Sequence, residues 1–339
     1  MVRGCCVPAG LRRRRCRSRG RARSAGHPRR PRRAAGSRTP AGRTVVIRIA
    51  HVSDLHYDQS RQLRATIERL VELVADAAPD LLVVTGDLSA DGRPEELDEV
   101  RSMLRQLKPI RQLVIPGNRD LERSSGPPGE ANPLPPDSDL DFFLTLEPAL
   151  ALGLEEDAEA DTDSDDRWVS RFGTTEPAFT GRGIAAVGVP STPKLSGQSL
   201  TRAARRLRKS PDAFRVFALH HGLLPVPGRK MREGDVIPRA GDVLSLLCEL
   251  GVDLVLHGHV HRAHVWRIAD SRGEILVASA GALVNDGRLD ASFLEIVVDG
   301  PFVEISRRSV ATGRASSLYS SDGLPSPEVR EARAVARSR

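Results

Sequence analysis

The sequence predicts an α/β fold built around a parallel β-sheet. Three short apolar runs, each suited to a buried strand, alternate with two segments whose apolar residues recur at helical spacing. Proline marks the helix limits, because Pro79 closes the first helical segment and Pro94 opens the second. This alternation indicates right-handed crossovers between parallel strands. The predicted strands cover residues 45–50, 81–84 and 113–115, and the predicted helices cover 62–78 and 94–107.

Each of these three strands is followed by residues that can bind a ligand. Asp54 and His56 follow the first strand, Asp87 follows the second, and residues 118–120 follow the third. Ligands of open α/β sheets bind beyond the carboxyl ends of the strands, so we expect these residues to share one site. Alternation along an extended segment would turn Asp54 and His56 to the same side, where they could bind one cation. An isolated Asp-x-His pair, however, is more often a surface acid and a structural histidine.

The second half of the chain repeats this arrangement. Buried strands are predicted over 184–189, 215–219 and 253–256, with a helix over 240–250 before the last of them. Most of the polar residues after these strands are histidines, and four later runs alternate like antiparallel strands. The strand ends carry Ser191, Thr192, His220, His221, Gly258, His259 and His261, and the later strands cover 264–268, 274–278, 292–298 and 302–308.

The predicted domain covers residues 44–310 and is flanked by two tails. Residues 1–43 are mainly Arg, Pro, Gly, Ala and Ser, have almost nothing to bury, and are expected to be disordered. Residues 122–166 break the α/β alternation and are interpreted as an insertion, with a short helix over 139–147 and a mobile acidic loop at its end. Residues 311–339 are polar and charged, so we expect them to fray.

The formal charge of +7 is concentrated in the N-terminal tail. Residues 1–44 hold 15 arginines and no acid, which leaves 36 basic against 44 acidic residues, or a net charge of −8, in the rest. This charge argues against general nucleic-acid affinity of the domain. The tail alone could bind RNA or anionic lipid through its arginines, but translation from a start codon upstream of the biological one is the favoured interpretation.

Cysteine usage and hydropathy indicate the compartment. Three of the four cysteines lie in the tail, and Cys248 falls in an apolar helical pattern, so there is no disulfide framework. No apolar run reaches the length of a membrane span, and no apolar segment follows the arginines as a secretory signal requires. We therefore expect a reducing, cytoplasmic compartment.

Taken together, the strand-end motifs resemble those of the calcineurin-like metallophosphoesterases. The motifs Asp-x-His, Gly-Asp, Gly-Asn-x-Asp, His and Gly-His-x-His occur in that family's order over roughly residues 45–308. The segments His-Val-Ser-Asp-Leu-His and Leu-His-His-Gly-Leu-Leu-Pro are most similar to its bacterial, cyclic-nucleotide-phosphodiesterase-like branch. The resemblance implies a four-layer α/β/β/α sandwich with mixed sheets.

The resemblance also implies two divalent cations. Imidazole, carboxylate and amide ligands without thiolate fit Mn, Fe, Zn or Co better than Ca. A water bridging two such cations loses a proton near neutral pH and attacks phosphorus in line, which implies hydrolysis of a phosphomonoester or phosphodiester. The residues assigned to one cation are Asp54, His56, Asp87 and His261, and those assigned to the other are Asp87, Asn118, His220 and His259.

Arg119 departs from the family pattern. Most members have histidine there, read as a phosphate contact and a proton donor to the leaving group. Arginine cannot act as an acid at physiological pH, but its fork can hold two phosphate oxygens, so we expect an electrostatic clamp. Asp120 is expected to orient its neighbours by hydrogen bonds. His221 is expected either to line the pocket, where it could supply a proton, or to cap a turn.

Several functions compete with the leading hypothesis. The Arg119 variant also occurs in hydrolases of a UDP-sugar pyrophosphate, so a pyrophosphohydrolase of a nucleotide-sugar-like substrate is one alternative. A non-catalytic binding scaffold is another, which the presence of all seven implied ligands disfavours, and a nucleic-acid-binding protein acting through the basic tail is a third. The expected partner is a small phosphate ester or diester, and the oligomeric state is not predicted. The remaining histidines of the domain, His51, His257 and His264, are expected to be structural or to support the ligands.

Overall fold

The protein folds into two mixed β-sheets with helices packed against them. Its structure, a computed structural model, describes residues 45–121, 162–192, 194–270, 273–285, 288–289 and 291–321. The helices are α1 (Arg61–Ala77), α2 (Pro94–Leu104), α3 (Asn118–Leu121), α4 (Thr162–Phe172), α5 (Gly197–Arg208) and α6 (Ala240–Glu249), and a turn of 3₁₀ helix (Arg105–Leu107) follows α2. The strands are β1 (Val46–Val52), β2 (Leu81–Thr85), β3 (Arg111–Ile115), β4 (Ala178–Gly181), β5 (Ile184–Gly188), β6 (Phe214–Ala218), β7 (Leu254–His257), β8 (His264–Asp270), β9 (Gly273–Ser279), β10 (Val284–Asn285), β11 (Arg288–Leu289), β12 (Ser292–Asp299), β13 (Phe302–Ser309) and β14 (Ala315–Ser320).

The strand order places the predicted parallel strands side by side. The first sheet has the order β14-β13-β12-β1-β2-β3, and the second has the order β4-β5-β6-β7-β9-β8. β1, β2 and β3 are parallel, as are β5, β6 and β7, while β12 pairs antiparallel with β1 and β8 pairs antiparallel with β9. The carboxyl ends of the parallel strands therefore share one edge in each sheet.

Both faces of the central strands are buried, which explains their continuous apolar sequences. In β1, Ile47 and Ile49 belong to the core between the sheets, whereas Ala50 and Val52 pack with α1 and α2. The helices α5 and α6 pack in the same way on the second sheet. The implied four-layer α/β/β/α sandwich with mixed sheets is confirmed.

The limits of α1 agree with the prediction to within one residue. Ser60 caps its N-terminus, where the hydroxyl accepts a hydrogen bond from the Leu63 N–H. At the other end Ala78 adopts the left-handed conformation and Pro79 follows, so the helix stops there. This end directs the chain into β2, and Asp87 lies in the loop that follows β2.

Two predictions about the limits and content of the domain need correction, and one helix was not predicted. Residues 315–320 form β14, paired with β13, where a frayed tail was expected. Backbone hydrogen bonds hold this edge strand, and its mostly exposed, serine-rich side chains give no apolar signal. The helix α4 begins within the predicted acidic insertion and is anchored by the fully buried Trp168. Finally, α5 was not predicted, although Leu200, Ala204 and Leu207 lie at helical spacing.

Other predictions fall on residues that the structure does not describe. These are the disordered tail over 1–43, the helix over 139–147, most of the acidic run, and the end of the chain from residue 322. Within the described part of the chain, no helix combines the length and the hydropathy that crossing a membrane would require.

Candidate metal centre

Loops at the carboxyl ends of five strands bring the predicted ligands together. The contributing strands are β1, β2 and β3 of the first sheet and β6 and β7 of the second. The candidate ligands form two groups, and within each group the candidate ligand atoms lie within 4.8 Å of one another. The first group consists of Asp54, His56 and His261, and the second consists of Asp87, His220 and His259.

In the first group, two imidazoles converge on a buried carboxylate. The Nε2 atoms of His56 and His261 lie 2.9 Å apart. Both atoms face Asp54 Oδ1, at 3.8 Å from His56 and 3.4 Å from His261. The Asp54 side chain is fully buried, and the backbone N–H of His259 donates to it, so the carboxylate is held in place.

In the second group, His220 Nε2 is the central atom. It lies 3.5 Å from Asp87 Oδ1 and 3.3 Å from His259 Nδ1. The amide oxygen of Asn118 lies 3.1 Å from the same nitrogen, so Asn118 joins this group, as the resemblance implied. The other ring nitrogen of His220, Nδ1, is 2.6 Å from the Thr85 carbonyl oxygen and is turned away from the group.

Asp87 contacts both groups. Its Oδ2 atom lies 3.7 Å from His56 Nε2 in the first group, while its Oδ1 atom lies 3.5 Å from His220 Nε2 in the second. Oδ1 also accepts a hydrogen bond of 2.8 Å from the Arg119 backbone N–H. A carboxylate with one oxygen toward each group occupies the position that a bridging ligand between two cations requires.

The backbone of the ligands is strained. Among the described residues, nine that are not glycine have positive φ, and five of these are Asp54, His56, Asp87, His259 and His261. The left-handed conformation costs such residues roughly 1–2 kcal/mol each. The prediction that Asp54 and His56 converge by alternation along an extended segment is therefore wrong. Their side chains converge because both residues turn into the left-handed region, and strain of this kind concentrates at functional sites.

Two glycines allow the loops to meet. A Cβ atom on Gly117 would lie 2.3 Å from Asp87 Oδ1, and one on Gly258 would lie 1.8 Å from Ser53 Oγ and 2.5 Å from Asp54 Oδ2. Any side chain at these positions would collide with a candidate ligand or with its neighbour. The close approach of these loops thus explains why glycine precedes Asn118 and His259.

Asp120 joins two of the ligand loops. Its buried carboxylate accepts hydrogen bonds from the backbone N–H groups of Leu88, Ser89 and Gly117 and from the Ser89 hydroxyl. These contacts fasten the loop after β2 to the loop after β3, as expected for a residue that orients its neighbours. Burial and the negative charge of Asp87 raise the pKa of Asp120 to about 6.

Arg119 and His221 lie beside the second group. The Arg119 side chain is exposed. The His221 ring centroid lies 4.4 Å from that of His259, and Ser191 Oγ lies 2.9 Å from His221 Nδ1 while accepting the His221 backbone N–H. Burial and the neighbouring His220 hold the pKa of His221 well below its usual range, so this imidazole is neutral at pH 7.

The second group contains an ion pair. Burial opposes the charge of His220, but the Asp87 and Asp54 carboxylates outweigh this effect and raise the pKa of His220 to about 9. Burial likewise opposes the charge of Asp87, but the positive charge of His220 outweighs this effect and lowers the pKa of the Asp87 carboxyl to about 2. By contrast, burial followed by the positive charge of His220 lowers the pKa of His259 to about 4. An imidazolium thus balances buried carboxylates where a cation would otherwise do so.

Sequence reasoning missed two residues near the second group. Ser191 was noted only as part of a strand end, and its contact with His221 could not be read from spacing. Asp235 was not singled out, yet it is buried, and its Oδ1 atom lies 3.7 Å from His259 Nε2. The only signal for Asp235 was an acid in the loop that follows the two adjacent histidines. His51 and His257, expected to be structural, are fully buried, with His51 Nε2 2.9 Å from Thr85 Oγ1.

The donor atoms fit divalent cations. All seven are nitrogen or oxygen atoms, both carboxylates are buried, and pairs of imidazole nitrogens approach within 2.9 Å and 3.3 Å. Nitrogen and oxygen ligands of this kind suit divalent transition metals. The structure therefore has two candidate metal sites, joined through Asp87.

The chain matches the family model described as Calcineurin-like phosphoesterase over residues 47–263. It belongs to the calcineurin-like phosphoesterase family. The match confirms the predicted family. It runs from β1 through the Gly-His-x-His motif and includes all seven candidate ligands.

Individual phosphoesterases resemble parts of the chain or its fold. A 3′,5′-cyclic-nucleotide phosphodiesterase of Nostoc sp. is 36% identical over 87 residues, which cover 22% of this chain and 32% of that protein. A dimetal phosphatase from Danio rerio superposes with a TM-score of 0.53 at 12% identity, covering 82% of this chain and 100% of the other. A purple acid phosphatase from yellow lupin (Lupinus luteus) superposes with a TM-score of 0.53 at 14% identity, covering 82% of this chain and 54% of the other. At these identities the two structures show a shared fold, and the sequence match spans about a third of the Nostoc protein.

Proposed function

We propose that this protein is a dinuclear metal-dependent hydrolase of phosphoric diesters and monoesters. The observation that carries the proposal is the position of Asp87, whose two oxygens face the first and the second group separately. The name of the Nostoc relative supports a diester, with a cyclic nucleotide as the first candidate. In this proposal one cation is held by Asp54, His56, Asp87 and His261, and the other by Asp87, Asn118, His220 and His259.

The cations and the protein would make different contributions to hydrolysis. A pair of Mn, Fe, Zn or Co ions, when bound, would lower the pKa of water and neutralise phosphoryl oxygens. The protein positions the ligands through Asp120, which fastens two of the loops, and through Gly117 and Gly258, which let the loops meet. These contacts fix where a phosphoryl group would sit relative to the donors.

Arg119 is proposed as the phosphoryl clamp. It directly follows Asn118, its backbone N–H donates to Asp87, and its side chain is exposed. Ser191 engages Nδ1 of His221, so we propose that the other ring nitrogen faces the substrate as a hydrogen-bonding group. His221 is neutral at pH 7, and a neutral imidazole is a weak acid, so it would donate a hydrogen bond more readily than a full proton.

The proposed clamp is tested by measuring how the rate of hydrolysis depends on the leaving group. Arg119→Ala should slow activated and poor leaving groups by similar factors, roughly 100- to 1,000-fold, because it removes charge stabilisation and not a proton. Arg119→Lys is the matched control, since it keeps the charge without the bidentate fork. Arg119→Ala acting on poor leaving groups alone would show that Arg119 assists proton transfer, and unchanged rates would show that it is a solvated rim charge.

The proposed activity is tested with a substrate panel. Purified protein loaded with Mn²⁺ would be assayed against aryl phosphomonoesters, aryl diesters, 3′,5′-cyclic nucleotides and a nucleotide-sugar pyrophosphate. Hydrolysis of the diesters, the cyclic nucleotides and the monoesters is the expected result, with the Asp87→Asn protein as the inactive control. Cleavage of the pyrophosphate alone would favour the alternative suggested by Arg119, a pyrophosphohydrolase of a nucleotide-sugar-like substrate. A protein that binds two metals but cleaves none of these substrates would favour a non-catalytic binding scaffold.

A further inference from the structure

Asp235 is a buried acid that the proposed metal centre does not use as a ligand. It lies in the loop between β6 and α6, and its side chain is almost fully buried. Its Oδ1 atom accepts a hydrogen bond of 2.8 Å from Arg229 Nη2, and its Oδ2 atom accepts one of 2.7 Å from the Arg232 backbone N–H. The carboxylate is therefore held rigidly and carries its charge inside the protein.

The same carboxylate faces one ring nitrogen of His259. Asp235 Oδ1 lies 3.7 Å from His259 Nε2, a charge contact longer than a hydrogen bond. The other ring nitrogen, Nδ1, lies 3.3 Å from His220 Nε2 and faces the second group. The two nitrogens of His259 therefore have different environments, a buried carboxylate behind and the candidate ligands in front.

The loop of Asp235 is fastened to the turn that carries His259. Arg229 Nη1 donates to the Val260 carbonyl oxygen, and Arg262 Nη1 donates to the Gly228 carbonyl oxygen over 3.0 Å. The two arginines reach across in opposite directions and join the loop of Asp235 to the turn of His259. Contact between them is thus a consequence of how the two loops are joined.

We propose that Asp235 is the positioning residue of His259 in the metal centre. The buried negative charge favours the tautomer with the proton on Nε2, which leaves the lone pair of Nδ1 directed at the second group. Carboxylates behind ligand histidines act in this way in metal sites, where they fix the tautomer and raise ligand basicity. This inference rests on the proposed role of His259 as a ligand.

The competing hypothesis is that Asp235 only anchors its loop. Two control variants separate these roles. Arg229→Leu removes the loop contacts to Asp235 and Val260 but keeps the carboxylate and the bond from Arg262 to the Gly228 carbonyl, which still joins the two loops. Asp80→Asn alters a carboxylate with the same kinds of partner, the Arg182 side chain and the Arg48 backbone N–H, at a place where the described residues include no histidine contact.

The first measurement is made on the metal-free protein. Long-range ¹H–¹⁵N correlation spectra of the metal-free protein report which ring nitrogen of each histidine carries the proton, and His259→Gln assigns the signal. Above about pH 9, where His220 is neutral and no longer directs a second proton at His259 Nδ1, we expect His259 to be protonated on Nε2 in the wild type and to lose this preference in Asp235→Asn. A wild-type His259 protonated on Nδ1 would overturn the proposal.

The second measurement is Mn²⁺ affinity by equilibrium dialysis. Asp235→Asn should weaken one of the two stepwise dissociation constants by about 10- to 100-fold, whereas Arg229→Leu and Asp80→Asn should change both by much less. Unchanged constants in Asp235→Asn, or an equal loss in Arg229→Leu, would overturn the positioning role while leaving the metal centre intact. A wild-type protein that binds no Mn²⁺ would instead overturn the proposed function.

Discussion

The two groups of candidate ligands differ in how their histidines are supported. In the second group, each histidine has a partner at the ring nitrogen that faces away from the other ligands. The Thr85 carbonyl oxygen lies next to Nδ1 of His220, and the Asp235 carboxylate lies next to Nε2 of His259. In the first group, the carboxylate contacts of His56 and His261 within the described chain are to Asp54 and Asp87, the candidate ligands themselves. The second group therefore has a partner behind each of its histidines, whereas the carboxylates that contact the histidines of the first group are candidate ligands themselves.

Burial differs for one histidine of each group, whereas His56 and His259 are exposed alike, at 19% and 20%. The His220 side chain is fully buried, whereas 32% of the His261 side chain is exposed. An exposed ligand gives up its cation more readily, because solvent competes for the cation. We infer that the second group binds its cation more tightly and that the cation of the first group exchanges faster.

The largest expected effect comes from the residue that both groups share. Asp87→Asn should reduce hydrolysis by at least about 1,000-fold and lower the metal content of both groups, because one bridging charge holds two cations. His261→Ala should lower the metal content of the first group alone. Elemental analysis after dialysis distinguishes these outcomes. An Asp87→Asn protein that retains two metals and normal turnover would contradict the bridge.

The ligands of both groups were predictable because each follows an apolar strand. A strand fixes where its end lies, and polar residues that occur at such ends in a defined order, as His220 and His261 do, are typical of metal ligands. Asp235 was not predictable, since its loop contains Pro, Gly and charged residues without any period, and its contact with His259 depends on how two loops are tied. The left-handed backbone of Asp54 was equally hidden, because only a few per cent of residues other than glycine adopt it and the sequence does not show which ones do.

A second prediction concerns the pH dependence of metal binding. In the metal-free protein the pKa of His220 is raised to about 9, so His220 is protonated at pH 7 and must lose this proton to bind a cation. Below pH 9 the proton competes, so the affinity of the second group should rise about tenfold per pH unit from pH 6 to pH 8.5. Burial lowers the pKa of His56 in the first group, which removes that residue as a source of such competition.

Mn²⁺ titrations across this range provide the measurement. One of the two stepwise constants should rise with pH and the other should change much less. Calorimetry in two buffers of different ionisation enthalpy checks the origin of the slope, because about one proton should be released for each cation bound in the second group. Two constants with the same slope, or binding without proton release, would show that the groups do not differ in charge.

The smallest expected effect comes from backbone strain, and it compares one histidine from each group. His261 has a φ of 55°, whereas His220 is absent from the residues with positive φ. Glycine adopts positive φ without cost, so His261→Gly should unfold with a free energy about 1 kcal/mol higher than His261→Ala. At position 220 the order should reverse, with the glycine variant about 0.5–1 kcal/mol less stable than the alanine variant, because glycine loses more backbone entropy on folding. Urea unfolding of the four metal-free variants measures both differences, and since each pair lacks the same imidazole, the comparison isolates the backbone. If alanine is the more stable residue at both positions, His261 is not strained, and the fold presents the first group without storing energy in its turn.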